Sequence, residues 1–458
     1  MGDALFYEFS EPEPNRKAFN VNLMLLYRHF LANHQQFTTD TRAIKPGDVF
    51  FALKGANFNG NLFAAKAIEA GASLVVIDEP QAGLGDKAWL VPDVLQTLQD
   101  LARLHRQSIP GLRVIGVTGS NGKTTTKELL RTAIASHYRC WATPGNLNNH
   151  IGVPITLLRM PLDTEVAVVE MGANHPGEVM PLCEIACPDL GVVTSVGKEH
   201  LEGFGSLEAI IETECELYKY LQQTGGQAFV HYENEDLMRY TANMKSAIYY
   251  GESQEADCVG RLLSADWYLR FQWENSYRLM LRAPQIETRL YGRYNFVNLL
   301  AAACVARYLS VPYEKINASL ASYEPANNRS QLLEQAGNRI ILDAYNANPH
   351  SMQAAVENLA NIAAPLRVAI LGDMFELGDA AREEHLALLE LLREKGIEKA
   401  LLCGPLFGEH AGTFPEFGFF NSLDELKSKQ PLIAFQDALL LIKGSRGMAM
   451  EGYLKAAD

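Results

Sequence analysis

The sequence predicts an α/β protein of three domains, and three observations lead there. At 458 residues the chain is too long for one hydrophobic core. Apolar strand-like runs alternate with helical stretches from about residue 112 and again beyond residue 326, the rhythm of parallel sheets covered by helices on both faces. Between one such run and the helix that follows stands a glycine-rich turn, Gly119-Ser-Asn-Gly-Lys-Thr124. The expected boundaries are 1–109 for a small α/β N-terminal domain, 110–325 for a central parallel-sheet domain and 326–458 for a Rossmann-like C-terminal domain.

In chain order, Asp48–Leu53 and Ser73–Asp78 read as short strands, with the amphipathic stretch Asn61–Ala70 between them. A polar helix over Val94–Gln107 and the turn Ile109-Pro-Gly111 form a linker. Strand signals recur at Arg113–Thr118, Glu165–Met171 and Leu190–Val196. Residues 227–290 change character. Short alternating runs such as Asp266–Trp273 predict a small antiparallel addition, and a helix over Tyr294–Leu309 closes the domain. The third segment repeats the βαβ rhythm through Arg339–Asp343, a helix after Pro349, Leu366–Gly372, a helix from Ala380 and Ala400–Cys403. There is no internal repeat and no low-complexity tract.

Composition narrows the function classes. Hydrophobic residues make up 48% and charged residues 21%, as in ordinary soluble domains. A formal net charge of −14 argues against an open nucleic-acid surface, while leaving room for local basic pockets that bind anions. The N-terminus lacks a basic stretch followed by an apolar run, and no apolar run is long enough to cross a bilayer. Seven scattered cysteines, the closest pair being Cys183 and Cys187, fit neither a zinc knuckle nor a redox pair and read as reduced thiols. The expectation is a cytoplasmic monomer with no nucleic-acid partner and no membrane insertion.

The glycine-rich turn carries the most chemistry. It joins the buried run Arg113–Thr118 to a helix over Lys123–His137. Its glycines let backbone N–H groups approach phosphate oxygens, and the helix N-terminus adds its dipole. Gly119, Asn121, Gly122 and Thr125 belong to this cradle, Lys123 supplies an ammonium, and the Thr124 hydroxyl suits Mg²⁺. Val117 stands where the longer phosphate loop has its first glycine, so this is the shorter GxxGK[ST] form. The chain is expected to bind ATP with Mg²⁺. Glu170 ends an otherwise apolar run, Glu165-Val-Ala-Val-Val-Glu170, and a carboxylate at the C-terminal end of a parallel strand is well set to hold that cation.

Further motifs run from Asp40-Thr-Arg42 to Lys443-Gly-Ser-Arg446. Among them are Glu170-Met-Gly-Ala-Asn-His-Pro-Gly-Glu178, Asp343-Ala-Tyr-Asn-Ala-Asn-Pro349 and Leu371-Gly-Asp-Met-Phe-Glu-Leu-Gly378. Together they resemble the Mur ligases over nearly the whole chain. Within that family they resemble the members that join D-alanyl-D-alanine to a UDP-N-acetylmuramoyl-tripeptide through an acyl phosphate. The resemblance implies that Lys123 contacts the β- and γ-phosphates and that Thr124 and Glu170 hold the first Mg²⁺. It implies that His200 faces a second metal, Asn295 the adenine, Arg329 the γ-phosphate and Asp343 the ribose, the C-terminal domain closing on ATP. Thr41, Arg42, Lys54 and Gly55 would bind the UDP moiety in the N-terminal domain, and Asn148 and Asn149 the muramoyl-peptide side. Asn346, Asn348, Lys443, Ser445 and Arg446 would shape the D-alanyl-D-alanine site. His385 and Lys443 are candidates, on position alone, to deprotonate the attacking amine.

Three departures stand out. The family usually has His at Tyr294 and Asp-Gly-His at Asn59-Gly-Asn61. It also carries a lysine, carbamylated by CO₂ and helping to hold the metals, where this chain has Glu214. Glu214 is expected to supply the anionic oxygens directly, although its side chain is about 3–4 Å shorter; the other reading is a polar helix residue beside a weaker metal site. Folylpolyglutamate synthase, a ligase adding a single amino acid and a non-catalytic nucleotide-binding regulator are the alternative functions. The sequence leaves open which residue ends the tripeptide.

Overall fold

The computed structural model describes residues 13–275, 285–326 and 328–455. They fall into two compact units. One holds the described residues up to Leu112 together with His150–Asp163 and Glu184–Cys187; the other holds the remainder. The stretches 150–163 and 184–187, which the sequence reading assigns to 110–325, thus cluster with the first unit.

In the first unit, short strands Phe37–Thr38, Val49–Phe51, Leu74–Ile77 and Ala88–Leu90 pair in that order, all parallel. Their apolar side chains, among them Phe50, Val75 and Ile77, pack on Ala64 and Ala67 of the helix Ala64–Glu69. The helix Val94–Gln107 forms as predicted and starts at Asp93, whose carboxylate accepts the Gln96 N–H at 2.7 Å. Buried His105 ties this helix to its neighbours: Nδ1 lies 3.0 Å from the Tyr27 hydroxyl and Nε2 lies 2.8 Å from the Met160 carbonyl. Tyr27 belongs to a helix over Glu13–Ala32 that the sequence reading did not identify.

The second unit holds two larger sheets. The first has nine strands in the order 286–287, 270–275, 258–264, 247–251, 227–231, 190–193, 113–118, 166–170 and 140–142. Pairing is parallel from 140–142 through 258–264 and antiparallel beyond. The antiparallel addition is therefore smaller than the 227–290 expected. Strands 227–231 and 247–251 join the parallel sheet because the helix Glu235–Thr241 between them supplies the crossover that parallel neighbours require. Arg113–Thr118 lies between 190–193 and 166–170, so the chain winds off in opposite directions on either side of it. Ligands of open α/β sheets bind at the C-terminal ends of strands flanking such a reversal.

The second large sheet has six strands in the order 331–335, 338–342, 438–443, 366–372, 399–403 and 418–420. Only the 331–335 edge strand is antiparallel. Ala438–Lys443 is buried at all six positions, as a central strand covered on both faces must be. Apolar clusters lie on the two faces, one around Ile341, Leu371 and Leu441 and the other around Ile340, Ile370 and Ile442. Alternating residues of the same strands feed opposite clusters, which is the two-residue period of a strand.

Candidate active site

The glycine-rich turn follows Arg113–Thr118 at the reversal and leads into the helix Lys123–Ala135. Gly119 sits at φ 122°, and a Cβ there would come within 2.4 Å of Thr194 Oγ1 and 2.8 Å of the Ser195 carbonyl oxygen. Gly122, at φ 85°, precedes the helix without a side-chain cap, so the first N–H groups of the helix have no capping side chain. The turn is braced from the 194–197 loop. Ser120 N–H donates to the Ser195 carbonyl at 2.8 Å, Asn121 N–H to Ser195 Oγ at 3.0 Å, and Gly197 N–H to Ser120 Oγ at 2.9 Å.

The mouth of this turn opens into a cavity of about 570 Å³. Of the residues singled out from sequence, Asn121, Gly122, Lys123, Thr124, Thr125, Asn148, Glu170 and His200 line it. So do Asn295, Arg329, Asp343, Asn346, Asn348 and Lys443. Gly119, Asn149, Glu214, Ser445 and Arg446 do not. Thr124 Oγ1 lies 3.1 Å from Glu170 Oε1, which also accepts from Asn148 Nδ2 at 3.0 Å. Among the described residues, buried Glu170 Oε2 has no hydrogen-bond partner and faces the Lys127 ammonium at 3.6 Å. Lys127, not singled out from sequence, is wholly buried and donates to the carbonyls of Thr143 and Gly145 at 2.9 and 3.2 Å, fixing the loop that presents Asn148.

Lys123 is folded back into the turn, donating to the Gly119 carbonyl, with its ammonium 3.6 Å from Glu199 Oε2. Burial works against its charge, but Glu199, Glu214 and Glu170 outweigh that and hold its pKa above the usual lysine value. Glu199 is a site residue that sequence reasoning passed over, although it precedes His200 in the same Val196–His200 run. Burial pushes its carboxyl up to about 8, with the Glu214 charge adding and the Lys123 ammonium opposing.

Glu214 ends the helix Leu207–Glu214, which starts at a Ser206 cap. Its side chain is fully buried, and Oε2 accepts the Gly119 N–H at 2.7 Å and lies 2.5 Å from the Thr118 hydroxyl. Its Oε1 has no hydrogen-bond partner among the described residues. The shorter side chain thus ends against the backbone of the turn, behind the cavity wall. In consequence the Gly119 amide is aimed at Glu214. His200, in the left-handed region at φ 44°, has Nδ1 2.5 Å from Glu376 Oε2. Burial lowers its pKa, against the pull of Glu376. Thr124, Glu170, His200 and Glu214 do not gather into one cluster: among the described residues no three His, Cys, Asp or Glu side chains form a ready metal site.

The 326–455 segment completes the cavity. Asp343, just past strand Asn338–Leu342, accepts the Ser330 N–H at 3.0 Å through Oδ1 and the Lys443 ammonium at 2.7 Å through Oδ2. Lys443 also donates to the Asn346 carbonyl at 3.0 Å. The residues expected at the ribose and at the dipeptide site are therefore direct partners. The Arg329 guanidinium stacks on Tyr345 at 3.7 Å, its buried Nε without a partner. Asn348 caps the helix Pro349–Asn361 and donates from Nδ2 to Asn121 Oδ1 at 3.0 Å, so it meets the phosphate loop itself. Ser445 and Arg446 serve the loop framework: Phe375 N–H donates to Ser445 Oγ at 2.8 Å, and Arg446 pairs with Glu451 at 3.1 Å.

On the other wall, Asn295 donates to the Tyr291 carbonyl at 2.7 Å and accepts from Asn298 at 3.1 Å; Asn298 in turn accepts the Thr126 hydroxyl at 3.1 Å. Tyr294 hydrogen-bonds Ser330 at 2.8 Å, and burial raises its pKa well above the usual value, keeping the hydroxyl protonated. His385 is not the proton acceptor that position suggested. It is fully buried, its Nε2 accepts the Met374 N–H at 3.1 Å, and its Nδ1 faces the Ala381 carbonyl at 2.6 Å, so neither nitrogen is free.

In the first unit, Asp40 caps the short turn Thr41–Ala43 and pairs with Arg42 at 2.7 Å, which draws the Asp40 carboxyl down to about 2. Lys54 pairs with Asp78 at 2.9 Å and Glu79 at 3.0 Å. Asn59 and buried Asn61 join that network, Asn61 Nδ2 donating to Asp78 at 2.7 Å. Gly55 lies under the Phe58 ring, where a Cβ would come within 2.4 Å.

Comparison with known proteins agrees with this architecture. The Mur ligase middle domain matches residues 117–306, the Mur ligase glutamate ligase domain matches 328–446, and the Mur ligase family catalytic domain matches 35–106. The UDP-N-acetylmuramoyl-tripeptide–D-alanyl-D-alanine ligase of Bacillus subtilis is 32% identical over 91% of this chain and 92% of its own length. Its counterpart in Treponema pallidum is 34% identical over 90% and 91%. The solved structure of MurF ligase from Thermotoga maritima in complex with ADP superposes with a TM-score of 0.81 at 28% identity, covering 92% of this chain and 96% of that one. No described helix is long and apolar enough to cross a membrane. With these matches across nearly its whole length and a phosphate loop at the sheet reversal, the chain belongs to the Mur ligase family.

Proposed function

We propose that this enzyme uses ATP to join D-alanyl-D-alanine to a UDP-N-acetylmuramoyl-tripeptide in the synthesis of peptidoglycan precursors. The observation that carries the reading is the single cavity in which Lys123, Thr124 and Glu170 of the phosphate loop region face Arg329, Asp343 and Lys443 of the C-terminal segment. Three cationic side chains around one pocket suit a triphosphate and a carboxylate that is to become an acyl phosphate.

In the first step a carboxylate oxygen of the tripeptide attacks the γ-phosphorus, the bond to the ADP oxygen breaks, and the acyl phosphate forms. In the second, the dipeptide amine attacks the acyl carbon and loses a proton, and the tetrahedral intermediate expels phosphate. Negative charge builds on phosphoryl oxygens and then on the acyl oxygen. Lys123, once released from Gly119 and Glu199, would turn its ammonium to a phosphate held at the turn. Arg329 is the second cation for this charge, its guanidinium stacked on the face of Tyr345. Lys443 directs its protons at Asp343 and the Asn346 carbonyl, so it holds charge in the site and is a poor acceptor for the amine proton.

The residues present suit Mg²⁺. Glu170 Oε2 is buried without a hydrogen-bond partner, and the Thr124 hydroxyl stands beside the other oxygen of the same carboxylate. Hard oxygen donors, with substrate phosphates and water completing the shell, are what this cation takes. Bound there, Mg²⁺ would neutralise charge on the phosphate oxygens. His200 is proposed to face a second cation. Glu214 is proposed to supply, without CO₂, the anionic charge that a carbamylated lysine would bring to this position. Supporting this are its full burial against the turn, its influence on Lys123 and its unpartnered Oε1.

We further propose the division 1–109, 110–325 and 326–458, with Thr41, Arg42, Lys54 and Gly55 toward the UDP moiety and Asn148 and Asn149 toward the muramoyl-peptide. Asn346, Asn348, Lys443, Ser445 and Arg446 would border the dipeptide site. A cytoplasmic, monomeric enzyme goes with this reading. The test is phosphate release from ATP, expected only when tripeptide precursor and D-alanyl-D-alanine are both present. Release with neither would contradict it.

A further inference from the structure

His200 is held by a residue that the reaction as described does not use. The loop after strand Leu366–Gly372 carries Glu376, which sits in the left-handed region at φ 62°. Two contacts seat it. Its carbonyl accepts the Glu202 N–H at 3.3 Å, and its Oε2 lies 2.5 Å from His200 Nδ1. His200 is itself left-handed where it precedes the helix Leu201–Phe204. Both ends of the contact are thus fixed by backbone conformations that non-glycine residues seldom adopt.

A carboxylate oxygen accepts hydrogen bonds, so the ring proton on this side belongs to Nδ1, and in the neutral ring Nε2 keeps its lone pair. His200 lines the nucleotide cavity and Glu376 does not, so the ring stands between the carboxylate and the pocket. Histidines that bind metals commonly donate their second N–H to a carboxylate, which sets the tautomer and the ring direction.

We propose that Glu376 is a positioning residue for the ligase reaction. It holds His200 in the Nδ1–H tautomer with Nε2 presented to a divalent cation beside the phosphates, so this cation site is complete only while the 373–378 loop is seated on the helix Leu201–Phe204. The inference rests on the reading of His200 given under the proposed function. A neighbouring ion pair, Lys198 with Glu384 at 2.6 Å, joins the 196–200 loop to the helix Ala381–Glu394 without involving His200 and separates positioning from simple latching.

The experiment titrates Mn²⁺ into the full-length protein with a non-hydrolysable ATP analogue, following free Mn²⁺ by electron paramagnetic resonance. Glu376→Ala is expected to weaken one Mn²⁺ site by about 10–100-fold. Glu376→Gln, which keeps an acceptor oxygen, should weaken it less, and Lys198→Ala should leave it unchanged. In ¹⁵N-histidine spectra, the His200 signals, identified by their loss in His200→Ala, should leave the Nδ1–H pattern in Glu376→Ala while the other histidines stay put. An unchanged Mn²⁺ affinity in Glu376→Ala, with His200→Ala weakened, would overturn the positioning role alone. Equal weakening by Lys198→Ala would reduce the contact to a latch and overturn it as well. If His200→Ala leaves every Mn²⁺ site intact, the cation-facing reading of His200 fails and the positioning role falls with it.

Discussion

At the scale of single residues, the buried carboxylates Glu214 and Glu199 crowd the phosphate loop. Glu214 spends one oxygen on the Gly119 amide and the Thr118 hydroxyl and has a second with no partner. If it replaces a carbamate, strict removal of CO₂ should leave turnover unchanged. Glu214→Ala should lower turnover about 100-fold, the scale of losing one oriented electrostatic partner, and Glu214→Lys should recover some activity only with added bicarbonate. A wild-type enzyme that stops without CO₂ and restarts with it would refute the substitution. Glu199 makes a second prediction. Its folded pKa, about 8, lies above the ordinary glutamate value, so the folded state holds more protons than the unfolded one between roughly pH 4.5 and 8. Through this group, stability is greatest below that window and falls as pH rises through it. Thermal melts of the nucleotide-free protein from pH 5 to 9 should show that decline, and Glu199→Gln should flatten it. Glu199 was hidden in the sequence because a Glu beside a His reads as surface charge. Only burial against Lys123 makes it a site residue.

At the scale of elements, the glycine-rich turn was the most legible feature. Arg113–Thr118, Val94–Gln107 and Leu366–Gly372 fall on the residues their apolar or amphipathic patterns indicated. The helix Glu13–Ala32 was not legible: its near-continuous Leu23-Met-Leu-Leu-Tyr27 run blurs the helical period, and Met24 and Leu25 remain exposed. The strands at 227–251 looked antiparallel because their pairing depends on the short helix between them, which local alternation does not reveal. Two substitutions test how the elements hold the site. Gly119→Ala would force an L side chain to φ 122° and press its Cβ on Thr194 and Ser195, so a loss of about 3 kcal/mol or more is expected in denaturant melts, with loss of ADP binding. Asn348→Ala should cost about 1 kcal/mol through the helix cap and release the contact to Asn121.

At the scale of the molecule, the cavity draws its walls from residues more than 300 positions apart in sequence, with Ser120 at one end and Lys443 at the other. Motif recognition supplied Lys123, Glu170, Arg329 and Lys443 of the lining. It could not show that Asp343 pairs with Lys443, which depends on strands 338–342 and 438–443 lying side by side, or that Asn348 reaches the phosphate loop, which depends on packing between the two large sheets. Lys443→Ala should leave the Asp343 carboxylate short of its partner, destabilising the fold by about 3 kcal/mol and impairing turnover together. The most direct test of the account is phosphate release from ATP in CO₂-depleted buffer, with UDP-N-acetylmuramoyl-tripeptide and D-alanyl-D-alanine each added and omitted. Turnover only when both are present, undiminished by the absence of CO₂, is the predicted result. Absence of turnover with both substrates even after bicarbonate is restored would contradict the assigned reaction.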